Sequence, residues 1–336
     1  DWTYRLPLAR IPLVCPHCGQ ERLLPIDGAA DEADRPPELL VPFATDADRL
    51  QHELADFAKS IWFRPEDLQP ETLRERLQTI YLPMWLVDSD VQAQWQAEMG
   101  FDYEVVSHES RYANNQWQSR KVTETRIRWE PRVGTLQRHY ANRAAPALEE
   151  HRDLLKRLGE FEVAASRPYQ PDLIADALVR LPNRAPSDAW NDAAPIVQRA
   201  AAAECRQAAA AQHIRDFRWS PAYTHQNWTQ LLLPAYATFY RDDDGEPQTV
   251  LIHGQTGQVN GRKRASMKRA RTWSLGIGAV ASVIFFISLL LALLGWLEIL
   301  PAAAVGLALV GALLGVFVGL TALYPLIYVW SVNRKR

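Results

Sequence analysis

The chain has 336 residues, enough for one large domain or two ordinary ones. Its formal charge is −2, but residues 1–261 contain 28 Lys and Arg against 38 Asp and Glu, a formal charge of −10. This balance excludes an overall attraction of the soluble region for nucleic acid or anionic lipid. Three cysteines, two of them in one Cys-x-x-Cys, favour a metal knuckle in a reducing compartment over a disulfide framework.

The metal motif is Cys15-Pro16-His17-Cys18-Gly19. Two thiolates spaced by two residues can bind one tetrahedral metal ion, and glycine permits the tight turn that follows. We therefore predict a partial zinc ribbon over residues 1–26, with structural zinc as the cofactor and Cys15 and Cys18 as its ligands. Closed zinc sites take four ligands, so we expect the partner knuckle upstream of Asp1. A redox pair and a degenerate, metal-free knuckle are the alternatives.

Residues 27–44 are polar and proline-bearing, and we interpret them as a linker to a first α+β half over residues 45–143. Thr45-Asp46-Ala47-Asp48 resembles a capping box and predicts a helix that Pro65 stops. A second helix is predicted over residues 71–79. The expected strands are 80–87, 94–99, 102–107, 121–130 and 133–140, with turns at Gly100, 114–115 and 131–134.

The second half, residues 144–261, begins with a predicted helix over 147–158 that ends at Gly159. Ser187 is expected to cap an Ala-rich helix running to about Gln212, with Cys205 as a buried thiol. Strands are predicted over 214–219, 231–241 and 249–253. The predicted fold class is α+β, with two antiparallel sheet regions between the partial ribbon and a C-terminal hairpin.

Residues 262–336 are expected to form a basic flank and a two-helix transmembrane hairpin, with spans at 273–296 and 302–330. The first span is about 36 Å long as a helix, enough to cross a hydrocarbon core of about 30 Å. Glu298, in the short turn, is the only charged residue between Trp273 and Trp330. Because the spans contain no ionisable pathway, a transporter or channel is not favoured.

Basic residues flank both spans, and the connecting loop has none. They are Arg262, Lys263, Arg264, Lys268, Arg269, Arg271, Arg334, Lys335 and Arg336. This asymmetry predicts a multi-pass protein with both termini in the cytoplasm. The stripe Gly311, Gly315 and Gly319 allows close helix approach, either to the first span or to a second copy in a homo-oligomer.

No catalytic constellation is apparent. Asp242-Asp243-Asp244-Gly245-Glu246 lacks the alternation of a calcium loop and is interpreted as a solvated hairpin turn. Six histidines, at 108, 139, 151, 213, 225 and 253, are scattered singly. Gly254–Gly261 does not have the register of a phosphate-binding loop and is interpreted as a β-turn. We therefore expect that the protein is not an enzyme.

Several motifs occur together in a recognisable order. The Cys-Pro-x-Cys-Gly knuckle is followed by 81–88 (YLPMWLVD), 168–173 (PYQPDL), 232–236 (LLPAY), 254–261 (GQTGQVNG) and the hairpin. Together they resemble the bacterial zinc-ribbon membrane proteins often labelled TFIIB-type or primosomal-helicase-like. In that family a full ribbon precedes the α+β region, whereas this sequence contains one knuckle.

The resemblance implies the inner membrane of a bacterium and a partner of the SPFH or flotillin-like class. The leading hypothesis is a non-catalytic adaptor that presents a cytoplasmic protein-binding module beside the lipid bilayer. The alternative is a membrane-tethered nucleic-acid-binding protein, suggested by aromatic and basic residues in the predicted strands. They are Trp117, Arg120, Lys121, Arg126, Arg128, Trp129 and Arg132.

Overall fold

The computed structural model describes residues 3–5, 15, 23, 36–113, 116–174, 176–297 and 301–334. These residues form a mixed α+β protein with one large open mixed sheet and a C-terminal pair of apolar helices. The predicted α+β class and apolar hairpin are confirmed. The expected two sheet regions are instead one sheet, which has nine strands in the described part of the chain. Most of the predicted zinc ribbon, including Cys18, lies outside the described residues.

The strands are β1 (Tyr4–Arg5), β2 (Leu39–Leu40), β3 (Gln78–Ala113), β4 (Gln116–Pro146), β5 (Arg167–Pro168), β6 (Leu178–Arg180), β7 (His213–Arg241), β8 (Pro247–His253) and β9 (Val259–Gly261). The α-helices are α1 (Ala47–Lys59), α2 (Pro70–Glu75), α3 (His151–Leu158), α4 (Pro186–Ala208), α5 (Met267–Trp296), α6 (Ala302–Thr321) and α7 (Tyr324–Arg334). Two short 3₁₀ helices span Val163–Ala165 and Pro171–Ile174.

Strand β3 is the central strand of the sheet. On one side it pairs in parallel with β6 and then antiparallel with β4. On its other side it pairs antiparallel with β7, and β7 in turn pairs in parallel with β2 and antiparallel with β8. The short strands β1, β5 and β9 extend the sheet beyond β6, β2 and β8.

The first part of β3 and the last part of β7 are covered on both faces. Alternate residues such as Leu82 and Leu233 pack with α3 on one face. On the other face, α1 and α2 cover the end of β7 and β8, and Tyr81 of β3 packs with residues of β2 and β6. A strand buried on both faces needs a continuous apolar run instead of alternation, and residues 231–237 (LLLPAYA) provide one. The core of the soluble module, by which we mean the described part of residues 1–261, lies here.

Farther along, β3, β4 and β7 continue together and α4 covers one face of them. The residues that α4 buries are small and recur every four positions: Ala189, Ala193, Val197, Ala201 and Cys205. Small side chains at this spacing let the helix lie close to the sheet. The prediction of a buried Cys205 is confirmed. Ser187 is not the cap, because the helix begins at Pro186, a residue suited to the first helical position.

The main error of the sequence predictions concerns strand length. The turns expected at Gly100 and at 131–134 are wrong, because β3 and β4 pass through both places without interruption. Helix α2 ends at Glu75, earlier than expected, because β3 begins at Gln78. Helix α3 begins at His151, later than expected. Helix α1 is present as predicted, but its cap is Asp46 and not the capping box expected from Thr45 and Asp48: Asp46 Oδ1 accepts a hydrogen bond of 2.6 Å from Arg49 N.

Candidate functional site

The C-terminal helices are the first functional feature. The first candidate span is α5, Met267–Trp296, and the second is Val305–Arg334, which comprises most of α6 and all of α7. Each has 30 residues and is long and apolar enough to cross a membrane. Most of their large apolar side chains are exposed, including Phe286, Leu313 and Phe317. A soluble protein rarely exposes a continuous apolar surface of this extent. The predicted hairpin helices are therefore present, and their apolar surface has no cover in the described part of the chain.

The glycine stripe of α6 faces α5. A Cβ atom at Gly315 would lie 3.0 Å from Phe285 Cβ and 3.1 Å from the Ala281 carbonyl oxygen, and one at Gly311 would meet the Ser288 side chain. Because the glycines have no side chains, α5 and α6 can pack closely at these positions. The stripe serves the hairpin within the chain, and a homo-oligomer through it stays a prediction.

The base of the hairpin is joined to the soluble module by a set of hydrogen bonds, which we call the junction. Asn333 near the end of α7 bonds both backbone groups of Ala265, accepting from N at 2.9 Å and donating to O at 3.0 Å. Tyr240 of β7 donates to the Arg262 carbonyl at 2.6 Å and accepts from Arg264 N at 2.8 Å. Burial raises the pKa of Tyr240 to about 12, so the hydroxyl keeps its proton as a donor.

Two loops complete the junction. The Phe63 carbonyl, in the loop after α1, accepts a hydrogen bond of 2.6 Å from Ser266 N at the start of α5. Asp243, in the turn between β7 and β8, accepts from Lys268 N at 2.9 Å. The acidic cluster 242–246 is thus the hairpin turn that its composition predicts, and Asp243 also ties that turn to the first turn of α5.

The second functional feature is a two-stranded ribbon, residues 103–113 and 116–126, which we call the β-arm. Beyond Gly100 the β7 ladder has ended, and β3 pairs with β4 alone as far as Ala113 and Gln116. At about 3.3 Å per residue the β-arm is about 33 Å long. Tyr112 and Trp117 are directly opposite each other near its tip, with ring centroids 5.3 Å apart, and they are 55% and 73% exposed.

Three basic residues in and beside the β-arm are paired with carboxylates. Arg126 bonds Glu124 at 3.1 Å. Glu130 lies between Arg128 and Arg132, at 3.0 Å and 2.7 Å. These are three of the residues on which the nucleic-acid alternative depends. The two carboxylates offset part of the charge of these three guanidinium groups, which weakens the attraction of the surface for a phosphate backbone.

Three histidines that are isolated in sequence meet carboxylates in the sheet. Asp90 contacts His139 Nδ1 at 2.7 Å and His225 Nδ1 at 3.0 Å, and Asp102 contacts His213 Nε2 at 2.8 Å. The hydrogen bonds from His139 and His225 lower the pKa of Asp90 below its usual value. Sequence reasoning missed this cluster, because its members come from three strands whose register was unknown.

The geometry around Asp90 indicates a structural role. The strand register shifts beside Asp90 on both neighbouring strands, and the shifts coincide with left-handed backbone at Asn142 and His225. Asp88 accepts a hydrogen bond of 2.7 Å from Asn142 N at the first shift. Asp88 and Asp90 therefore hold two β-bulges in place, and such bulges bend and twist a long sheet.

The motif Gly254–Gly257 is also structural. Nδ1 of the buried His253 accepts from the backbone N–H groups of Gln255 and Thr256 at 3.1 Å and 3.3 Å, so this nitrogen carries no proton. Nε2 lies 3.2 Å from the Glu160 carbonyl, to which it donates. Burial lowers the pKa of His253. The neutral imidazole shapes the turn between β8 and β9, in agreement with the predicted β-turn.

Of the two predicted metal ligands, the structure describes only Cys15. Cys15 is half-buried, whereas Cys18 lies outside the described residues. Within the described ranges no group of three or more His, Cys, Asp or Glu side chains is arranged to bind a metal ion. A closed zinc site takes four ligands, so the structural zinc at Cys15 and Cys18 stays a prediction.

Comparison with protein-family models, with curated proteins and with solved structures finds no match to this chain. The resemblance to zinc-ribbon membrane proteins therefore depends on the sequence motifs alone. The two features above, an apolar hairpin joined firmly to a soluble module and an exposed β-arm, are the basis for a functional conclusion.

Proposed function

We propose that this protein is a non-catalytic membrane adaptor. The hairpin inserts in the inner membrane of a bacterium as a multi-pass anchor, and the soluble module presents a protein-binding surface in the cytoplasm. The proposed partner is a protein of the SPFH or flotillin-like class, as the resemblance implies. The lack of basic residues between the two helices, together with the basic flanks, supports cytoplasmic termini.

The observation that carries the proposal is the β-arm. An isolated two-stranded ribbon is at best marginally stable in water, because neither face is covered. Val106, Tyr112 and Trp117 share one face of the β-arm by register, and each is about half exposed or more. Aromatic side chains displayed in this way are typical of the centre of a protein interface. Binding would bury them and stabilise the ribbon.

Partner capture tests the proposal. Full-length tagged protein is extracted from bacterial membranes in mild detergent, and the proteins that co-purify are identified by mass spectrometry. The variant Tyr112→Ser/Trp117→Ser removes the aromatic pair, and we expect it to lose the partner. Ser110→Ala/Ser119→Ala, the adjacent cross-strand pair on the same face, is the matched control and should retain it.

Three results would refute the adaptor. One is a partner that both double variants capture equally well. Another is a lone monomer that turns over a substrate. The third is oligonucleotide binding by the purified protein at moderate salt with a steep salt dependence, which would favour the nucleic-acid alternative. For topology, a fluorescent protein fused after Arg336 should fluoresce, whereas a periplasmic reporter enzyme at the same place should stay inactive.

Structural zinc at Cys15 and Cys18, with two further ligands from an upstream knuckle, is also proposed. Its support is the motif and the resemblance. Zinc per chain is measured in the full-length gene product, and one equivalent is expected. Absence of zinc from a protein that contains both knuckles would refute the ribbon.

A further inference from the structure

A cleft of about 820 Å³ lies beside the junction, between the loop after α1, the first turns of α5 and the place where α6 ends and α7 begins. This volume is in the range of small-molecule sites. The loop that forms one wall is fixed, because the Phe63 carbonyl bonds Ser266 N and the Trp62 ring contacts Tyr328 with centroids 5.8 Å apart. The cleft is therefore a preformed feature of the folded chain.

Three basic side chains line the cleft: Lys59 and Arg64 from the soluble module and Arg269 from α5. None of them is within ion-pair distance of a carboxylate among the residues that the structure describes. Three uncompensated positive charges that converge on one cleft provide a site for a phosphate group. They come from both parts of the protein, so the site exists only while the junction is closed.

The rest of the cleft wall is aromatic. Trp62, Trp273 and Tyr324 line it and are each more than half exposed. Trp and Tyr are the residues that lie at the level of lipid headgroups in membrane proteins. The cleft is thus at the depth where a membrane presents its phosphates.

A second groove continues from the cleft along the hairpin. It has a volume of about 450 Å³, shares Trp273 and Ile277 with the cleft, and is otherwise lined by residues that include Gly276, Val280 and Val318. Its wall is apolar, and it follows the helix toward the middle of the first span. A basic cleft that leads into an apolar groove matches a phosphate attached to acyl chains.

We propose that the cleft binds one anionic glycerophospholipid, with its phosphate held by Lys59, Arg64 and Arg269 and an acyl chain in the groove beside Gly276. The proposal rests on the membrane anchoring proposed above. A free phosphate ion would use the basic residues but not the groove, and the continuity of the two favours the lipid. The bound lipid would connect the soluble module to the anchor at the membrane surface.

The full-length protein is reconstituted in nanodiscs of equal parts phosphatidylglycerol and phosphatidylcholine, and lipids retained after release are counted by native mass spectrometry. We expect phosphatidylglycerol to be enriched over the input ratio. Enrichment should fall about fivefold for each basic side chain removed from the cleft by Lys59→Ala, Arg64→Ala or Arg269→Ala. The triple variant Lys59→Ala/Arg64→Ala/Arg269→Ala removes all three charges from the cleft. Its control, Arg262→Ala/Lys263→Ala/Arg271→Ala, removes the same number of charges from the basic flank outside the cleft and should keep the enrichment.

The groove is tested separately by a pair of glycine variants. No atom lies within 4 Å of the position that a Cβ would take at Gly276 or at Gly278, but Gly276 lines the groove and Gly278 does not. Gly276→Leu should therefore reduce the retained lipid while Gly278→Leu leaves it unchanged, with helix content the same in both.

The outcomes separate the two proposals. Protein that inserts in nanodiscs without enrichment, or loses enrichment equally in both triple variants, overturns the lipid site and leaves the anchor intact. Phosphatidylglycerol enrichment that survives Gly276→Leu also overturns the proposed lipid site, because it reduces the cleft to a headgroup or phosphate site. Protein that does not insert overturns the anchor, and the lipid site with it.

Discussion

Replacing Asn333 tests whether the junction holds the hairpin against the soluble module. In Asn333→Leu, the backbone N–H and C=O of Ala265 lose both of their partners, and Ala265 is only 4% exposed. Each buried group left unsatisfied costs about 1–3 kcal/mol. The expected loss in the free energy of junction opening is therefore about 2–6 kcal/mol.

Amide hydrogen exchange of the full-length protein in detergent measures this loss. The reporters are the N–H groups of Arg264 and Ser266, whose own acceptors, the Tyr240 hydroxyl and the Phe63 carbonyl, are unchanged by the substitution. A loss of 2 kcal/mol corresponds to exchange that is about 30-fold faster. Asn333→Asp keeps the acceptor for Ala265 N and should show an intermediate effect.

A control in the same helix is Ser331→Ala. Ser331 Oγ bonds the Tyr328 carbonyl of its own helix at 2.8 Å and does not reach the soluble module. Its removal should leave the exchange of both reporters unchanged. If Asn333→Leu folds and the two amides exchange at the wild-type rate, Asn333 does not hold the junction, and the reasoning from its hydrogen bonds is wrong.

Two further predictions concern the hairpin and a buried histidine. Gly315→Leu should lower the melting temperature in detergent, because a side chain there meets the backbone of α5, and overpacking of this kind costs about 1–3 kcal/mol. The control is Gly306→Leu, which should not lower it, because no neighbouring atom lies within 4 Å of a Cβ at that position. Equal melting temperatures of the two variants would contradict the packing of α6 on α5. His253 has a lowered pKa in the folded protein, so the unfolded chain takes up a proton first as the pH falls below about 6.5, and the free energy of unfolding should decrease from there toward the lower, folded pKa. In His253→Gln this decrease should be smaller, and His151, whose pKa burial also lowers, should supply the remainder. The free energy of unfolding is measured by denaturant titration at several pH values from 7 to 5. An equal decrease with pH in the wild type and in His253→Gln would refute the assignment.

The hairpin and most helices could be predicted because their signals are local. Span length and apolar composition are properties of neighbouring residues, and the structure agrees with both. The length of the strands could not be predicted in this way. Gly100 and Gly134 have the appearance of turn residues, yet both lie within continuous strands.

The reason is packing from other strands. A Cβ at Gly100 would lie 2.8 Å from His213 Cβ and from Ile127 Cγ2, and one at Gly134 would lie 3.0 Å from the Trp95 ring. Glycine is required there by close approach, not by a turn. Pro131 is tolerated because β4 pairs only with β3, so its missing N–H can face the open edge.

The candidate surfaces were hidden from sequence reasoning for a similar reason. Lys59 is the last residue of α1, Arg64 lies in the loop after it, and Arg269 lies about 200 residues later. Each has the pattern of an ordinary surface charge. Only the junction brings them into one cleft, and the contacts that form it, such as that of Asn333 with Ala265, have no sequence signature.

Because the junction holds the hairpin firmly and the central strand is long, a small rotation of the hairpin becomes a large displacement at the far end of β3. Strand β3 has 36 residues, a length of at most about 120 Å that the bulges beside Asp90 shorten by bending the strand, and its first residues belong to the core beside the junction. A rotation of the hairpin by about 5° would then move the far end of β3 by up to about 10 Å. If the hairpin spans a membrane as proposed, its tilt depends on bilayer thickness. A small change in tilt would then displace the Tyr112 and Trp117 pair far enough to break or form contacts with a bound partner.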